Sequence, residues 1–410
     1  MKYKIAYILY LIVCLLYPVT PIFGPISLRH ILIVIMLIWS VIDNGVAFDR
    51  FLKWFCLFLF LSALGPLVSG YAGPFLNRLL GTYLAAIVVY ISTKIVIKKY
   101  NGGRLVLFVV LAVAILNSIV AIGQFYGSPI ATILPVTLRI NMSEEMIEFY
   151  ENIEDFHGRY VGGILGIVTS GYFLSSASIL SLYNSKGKIK IYNWLLFAFL
   201  FFALFLVQER SGLLAAVMCV FIYLIVNVVN NGKTIIPLIT AIIVAVVFIS
   251  YYGGQLVDIN EMRYVSEGFS DSSRIGIMST SWHVFLDNPM GGIDAYKSLG
   301  VLEPHFVFVN AFLYGGLFGG IVVSGIILGQ LFLVFKILFE SFRREKHSSI
   351  LIVFSIAYLC HTLSSCFHNP SLVSGDVMFF VFWGAIIALL ETETSIDYRQ
   401  TLKYSSVIKK

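Results

Sequence analysis

Apolar runs of about 20 residues recur along the whole of this 410-residue chain, and they constrain its fold more than any other feature. A helix of that length crosses about 30 Å of hydrocarbon. Charged residues make up 12% of the chain and hydrophobic residues 59%, whereas a soluble domain carries about 25% charged residues. The pattern predicts an all-α, polytopic membrane protein built as a single integral membrane domain over residues 1–410.

About twelve transmembrane helices are expected, near residues 5–22, 30–44, 53–69, 80–97, 104–126, 160–183, 191–208, 211–230, 234–252, 307–338, 349–366 and 372–391. The opening stretch MKYKIAYILYLIVCLLYPVTPIFG resembles a signal peptide but lacks a small-residue cleavage site. It reads as a retained first span. Two linkers are long, residues 127–159 and residues 253–305. The second falls between the ninth and tenth helices.

Loop charge sets the orientation. With the N-terminus in the cytoplasm, four basic clusters lie inside. They are Lys94, Lys98, Lys99 and Arg104; Lys186, Lys188 and Lys190; Arg343, Arg344 and Lys346; and Arg399, Lys403, Lys409 and Lys410. That satisfies the positive-inside tendency and places both termini in the cytoplasm and both long loops outside. The basic residues left outside are Arg29, Arg78, Arg139, Arg159, Arg210, Arg263, Arg274 and Lys297, all but one of them arginine. Lysine suffices for a general charge bias, whereas the planar fork of arginine suits phosphate or carboxylate. The outer face therefore reads as built for an anion, with pairing to Glu144, Glu148 or Asp271 as the alternative for any one arginine.

Each long loop carries a helical pattern. Ser143–Arg159 spaces Glu144, Glu148, Glu151 and Asp155 on one face and Met146, Ile147, Tyr150 and Ile153 on another. That predicts an amphipathic helix on the outer surface. In the second loop, Asp271, Ser272 and Ser273 are good N-cap residues. An apolar face follows at Ile277, Met278, Trp282 and Phe285, and Asn288–Pro289 stops it. Arg274 stands in the first turn, where a cation opposes the helix dipole, so it is placed for a ligand rather than for the helix.

Several function classes are excluded. The five cysteines show no C-x-x-C or Cys/His spacing, so no metal site and no disulfide framework is expected. QERSGL is not a nucleophile elbow, and no glycine-rich loop ends in Gly-Lys-Ser/Thr. No basic stripe points to nucleic acid.

Three outer stretches remain: QERSGLL (Gln208–Leu214), SSRIGIMSTSWHVFLDNPMGG (Ser272–Gly292) and PHFVFVNAFLYGGLFGG (Pro304–Gly320). Their order, spacing and side resemble the O-antigen polymerase (Wzy-type) and O-antigen ligase superfamily of bacterial membrane glycosyltransferases. Gly316 and Gly319 stand at the family's offsets from His305, and GRYVGGILGIVTSGYFLS (Gly158–Ser175) is similar to its arginine-glycine segment. The family often has asparagine directly after the histidine. Here that residue is Phe306, with Asn310 one turn further in.

The resemblance implies transfer of a glycan from undecaprenyl pyrophosphate to a sugar hydroxyl, in the bacterial inner membrane, with no cofactor and no metal. A departing diphosphate needs fixed cations, and an attacking hydroxyl needs a base. Arg210, Arg274 and His305 are the expected catalytic residues; Arg159, Glu209 and Asn310 are the expected substrate-binding residues. Glu209 could orient Arg210, act as base or form a plain ion pair. His283 reads as exposed, and His361, His368 and Asp376 as residues able to reach the same cavity. The implied partners are the undecaprenyl-pyrophosphate-linked oligosaccharide, the lipid bilayer and a chain-length regulator protein. Polymerase is the preferred activity and ligase the first alternative. A flippase or transporter of lipid-linked oligosaccharide stays open as a different class, although internal repeats and helices interrupted near the midplane are its usual marks.

Overall fold

The computed structural model describes residues 2–16, 22–23, 26–44, 48–69, 76, 78–138, 162–184, 191–230, 272–291, 306–344, 347–366 and 372–408. Helix α1 (Lys2–Leu15) is followed by a ribbon of β1 (Ile22–Phe23) and β2 (Ile26–Ser27), then α2 (Leu28–Asn44) and α3 (Arg50–Ser69). A π-helical turn (Leu79–Tyr83) runs into α4 (Leu84–Tyr100), which precedes α5 (Gly103–Phe125), α6 (Pro129–Leu138) and α7 (Ile167–Ser181). Helices α8 (Ile191–Val207), α9 (Arg210–Asn230), α10 (Ser272–Asp287), α11 (Val307–Arg344), α12 (Ser349–Ser365) and α13 (Val377–Ile408) complete the order.

Helices overlie every expected span except 234–252, which lies outside the described residues. Among the described residues, four helices are long and apolar enough to cross a membrane: Leu79–Tyr100, Gly103–Phe125, Val307–Arg343 and Val377–Ser395. The apolar helices at Leu28–Ile42, Ile191–Val207, Arg210–Val226 and Ser349–Ser365 are shorter. The expected surface helix over Ser143–Arg159 also lies outside the described residues, whereas α6 is a helix that the sequence pattern did not single out.

The span expected at 160–183 is helical only from Ile167. Gly163 (φ 59°) and Gly166 (φ 88°) take backbone conformations that no helix contains. Irregular backbone survives at membrane depth only where the protein satisfies its polar groups, and two amides of α5 do so here. Gln124 Oε1 accepts from the N–H groups of Gly162 (3.1 Å) and Gly163 (2.8 Å). Asn117 Oδ1 accepts from those of Ile164 (2.8 Å) and Leu165 (3.2 Å). A side chain at Gly163 would collide with Asn117.

Helices α7 and α12 occupy the centre and are buried almost all round. Helix α7 packs on α5, α8, α9 and α12, while α13 lies along α4 and α11 along α3. A close-packed position with no lipid face accounts for the serines of α7, whose hydroxyls bond back to their own helix: Ser175 to Tyr172 O, Ser178 to Ser175 O and Ser181 to Ser178 O. Tyrosine hydroxyls tie α1 in place, with Tyr7 on Thr93 (2.9 Å) and Tyr10 on the Ala85 carbonyl (2.9 Å). By contrast Phe318, Ile321, Leu328, Phe332 and Phe335 of α11 are exposed in an outward apolar stripe, as a lipid-facing helix requires.

Charge collects at one end of the bundle. Lys94 meets Asp49 (2.5 Å) and Glu391 (3.7 Å), and Lys98 meets Glu391 (2.9 Å). At the same end His347 lies between Glu393 (2.9 Å) and Glu340 (3.2 Å). These are elements the charge pattern assigned to one side, α4, α11 and α13, now joined by ion pairs.

Helix α11 is interrupted. Gly316 has φ 62° and ψ −165°, a region open essentially only to glycine. Leu317 N–H, freed from its helical partner, donates instead to the Pro289 carbonyl at 2.8 Å. Pro289 is the second residue after α10, so the loop helix is seated at the break. From Gly316 to Arg344 the helix runs about 42 Å at 1.5 Å per residue, further than the ~30 Å hydrocarbon core. The part beyond the break is thus long enough by itself to cross that core.

Candidate active site at one end of the bundle

The QERSGL break is a tight helix start. Gln208 takes φ 59°, turning the chain between α8 and α9. Glu209 then caps α9: its Oε1 accepts from Ser211 N–H (3.0 Å) and Ser211 Oγ (2.5 Å), and its Oε2 accepts from Gly212 N–H. The residue is 4% exposed. A carboxylate at a helix N-terminus gains from the dipole, and a capping side chain contributes about 1 kcal/mol. Both oxygens of Glu209 thus face the helix backbone, a structural duty that the sequence reading did not assign to it.

The cap fits because its neighbours have no side chains. A Cβ at Gly171 of α7 or at Gly212 would collide with the Glu209 side chain. Arg210 follows at the first position of α9, half-buried. A cation there opposes the helix dipole, so the site holds an arginine at some cost to the helix.

The next residue of α7 leads to a second cluster. Tyr172 Oη lies 3.5 Å from Asp376 Oδ1, at the start of α13. Asp376 Oδ2 accepts from Phe379 N–H (3.0 Å), capping that helix, and lies 2.8 Å from His361 Nε2 on α12. His361 is wholly buried, its ring edge-on to Tyr172 and Phe382 at centroid distances of 5.3 and 5.7 Å. Gly171 and Tyr172 therefore join the Glu209–Arg210 helix start to Asp376 and His361.

A third cluster borders the break in α11. The Arg78 guanidinium lies over the Tyr314 ring, 4.3 Å from its centroid. Tyr314 is one turn beyond Asn310, which is 3% exposed. Phe285 of α10 packs with Val309 and Leu313 of α11, and Trp282 meets Phe312 edge-on at 5.8 Å. Arg78 leads into the π-helical turn, where Arg29 donates to the Gly81 carbonyl and Tyr83 Oη to the Val373 carbonyl (2.7 Å). Val373 lies in the turn before Asp376, so the second and third clusters adjoin through that turn.

Of the residues expected from the sequence, Glu209 and Arg210 stand at the start of α9, and Asn310 in the first turn of α11. Arg274 stands in the first turn of α10, as expected, and His283 is exposed. His305, Arg159 and His368 lie outside the described residues. Two features were missed. Arg78 was visible only as one of the outward arginines, and its aromatic partner is far away in the chain. The amides Asn117 and Gln124 stand seven residues apart on an apolar helix, a same-face spacing that is legible once sought. No group of His, Cys, Asp and Glu that would hold a metal ion occurs among the described residues.

Comparison with known proteins adds one match. Neither a curated protein nor a solved structure matches the chain. Residues 195–324, which run from α8 through the capped start of α9 and α10 to the broken half of α11, match the family described as O-antigen ligase. That stretch is therefore similar to the O-antigen ligase family, in keeping with the resemblance that the three outer motifs carry.

Proposed function

We propose that the protein is an O-antigen polymerase of the bacterial inner membrane, with both termini in the cytoplasm. It joins undecaprenyl-pyrophosphate-linked oligosaccharide repeat units on the periplasmic face and releases undecaprenyl pyrophosphate. The observation that carries this reading is the extent of the family match. It spans all of Gln208–Leu214, Ser272–Gly292 and Pro304–Gly320, the three stretches singled out for chemistry. In this reading Arg210 and Arg274 meet the negative charge that grows on the departing diphosphate. His305 takes the proton of the attacking hydroxyl, Arg159 and Asn310 line the substrate's path, and Glu209 holds the helix start that carries Arg210. No metal or cofactor takes part.

The description of the matched family favours a second reading, O-antigen ligase, in which the acceptor is lipid A-core. One experiment separates the readings. Purified protein in lipid nanodiscs, given lipid-linked repeat units alone, lengthens them if it is a polymerase. Transfer that requires added lipid A-core identifies the ligase, and no transfer with either acceptor leaves a lipid-linked oligosaccharide transporter.

A further inference from the structure

We propose that Asp376 and Tyr172 form a subsite for hydroxyl groups of the acceptor glycan, with His361 as its positioning residue. The proposal rests on the glycosyl-transfer reading above and names a binding element that this reading does not contain.

The two carboxylate oxygens of Asp376 are used unequally. Oδ2 is engaged twice, by Phe379 N–H at 3.0 Å and by His361 Nε2 at 2.8 Å. Oδ1 has the Tyr172 hydroxyl at 3.5 Å, the outer limit of a hydrogen bond. An ionised carboxylate has roughly four acceptor positions, so the Oδ1 edge retains capacity for donors. The Asp376 side chain keeps 11% of its surface exposed, whereas that of His361 is 0% exposed.

Capping α13 does not explain this arrangement. A serine or asparagine caps a helix without a charge, whereas an ionisable group inside a membrane bundle is expensive and marks function by default. His361 adds to that cost. Its Nδ1 is buried without a hydrogen-bond partner among the described residues, and its Nε2 is spent on the carboxylate. The imidazole serves the orientation of Asp376 rather than its own burial. Tyr172 is likewise placed, its ring edge-on to His361 at 5.3 Å.

The charge selects the ligand. A carboxylate repels a diphosphate and accepts hydrogen bonds from hydroxyls, so this cluster suits the sugar and not the leaving group. Its place fits that division: Gly171, beside Tyr172, abuts Glu209 at the start of α9, where Arg210 offers the opposite charge.

The test uses the full-length protein in lipid nanodiscs, its lipid-linked repeat unit as donor, and the free oligosaccharide cleaved from that unit as titrated acceptor. Asp376→Asn keeps the cap and an oxygen for His361 but turns a donating NH2 toward the acceptor. It is expected to raise the acceptor KM about tenfold or more while leaving the donor KM and kcat within about threefold. Tyr172→Phe raises the acceptor KM by less. His361→Phe raises it, and His361→Gln, which restores an N–H donor, recovers most of the loss. An acceptor KM within about twofold of wild type in both Asp376→Asn and Tyr172→Phe overturns the subsite and leaves the transfer reading intact. Should Asp376→Asn fail to fold, Tyr172→Phe and the His361 pair decide alone. A wild-type protein that transfers nothing overturns the transfer reading, and the subsite with it.

Discussion

The Pro289 carbonyl accepts the Leu317 N–H at 2.8 Å, across a break in a membrane helix. This bond fastens the loop helix α10 to α11 and is possible only because Gly316 leaves helical geometry. A Cβ at Gly316 would lie 2.7 Å from both Pro289 O and Met290 C, and φ 62° disfavours it independently. Gly316→Ala should therefore destabilise the protein by about 3 kcal/mol and abolish transfer, measured by thermal unfolding in nanodiscs and by the polymer ladder. Gly325→Ala, whose Cβ meets open space in the same helix, should be neutral or slightly stabilising.

Arg210 and Arg274 carry the charge argument for the diphosphate. Arg210→Ala and Arg274→Ala should each abolish transfer while the protein still inserts and folds, and so should His305→Ala. Arg→Lys should be nearly as damaging at either position, because a point charge does not reproduce the bidentate fork. Unchanged chain-length ladders from any one variant would remove that residue from the mechanism.

Glu209 is a different case, because its oxygens hold the start of α9. Glu209→Ala should cost about 1–2 kcal/mol of stability, and Gly171→Ala should mimic it by pushing into the same side chain. Thermal unfolding checks both. Equal melting temperatures for wild type and Gly171→Ala would contradict the cradle described above.

His347 supplies a pH dependence at the opposite end of the bundle. The hydrogen bond to Glu393, helped by Glu340, outweighs burial and holds the imidazole above its ordinary value. A raised value means that the folded state favours the charged ring. This contribution is fully present below the unfolded value of about 6.5 and is lost as pH rises through the raised one. Melting temperature should fall across that window on the alkaline side, and His347→Gln should flatten that fall. A profile that His347→Gln leaves unchanged would show that other groups set it.

Much of the fold was readable from local patterns. Hydrophobic runs located the helices, and Ser272 and Asn288–Pro289 bounded α10, because periodicity and capping act within a few neighbouring residues. Arg210 at a helix start was legible in the same way. The sequence alone thus determined a mainly helical protein with helices apolar enough to cross a membrane. Tertiary structure decided which of these residues meet. Tyr172 and Asp376 are 204 residues apart, and Arg78 finds Tyr314 from a distant helix. It also turned Glu209 inward as a cap and opened α11 where Pro289 enters. Such contacts depend on how whole helices pack, and no short-range pattern carries that information.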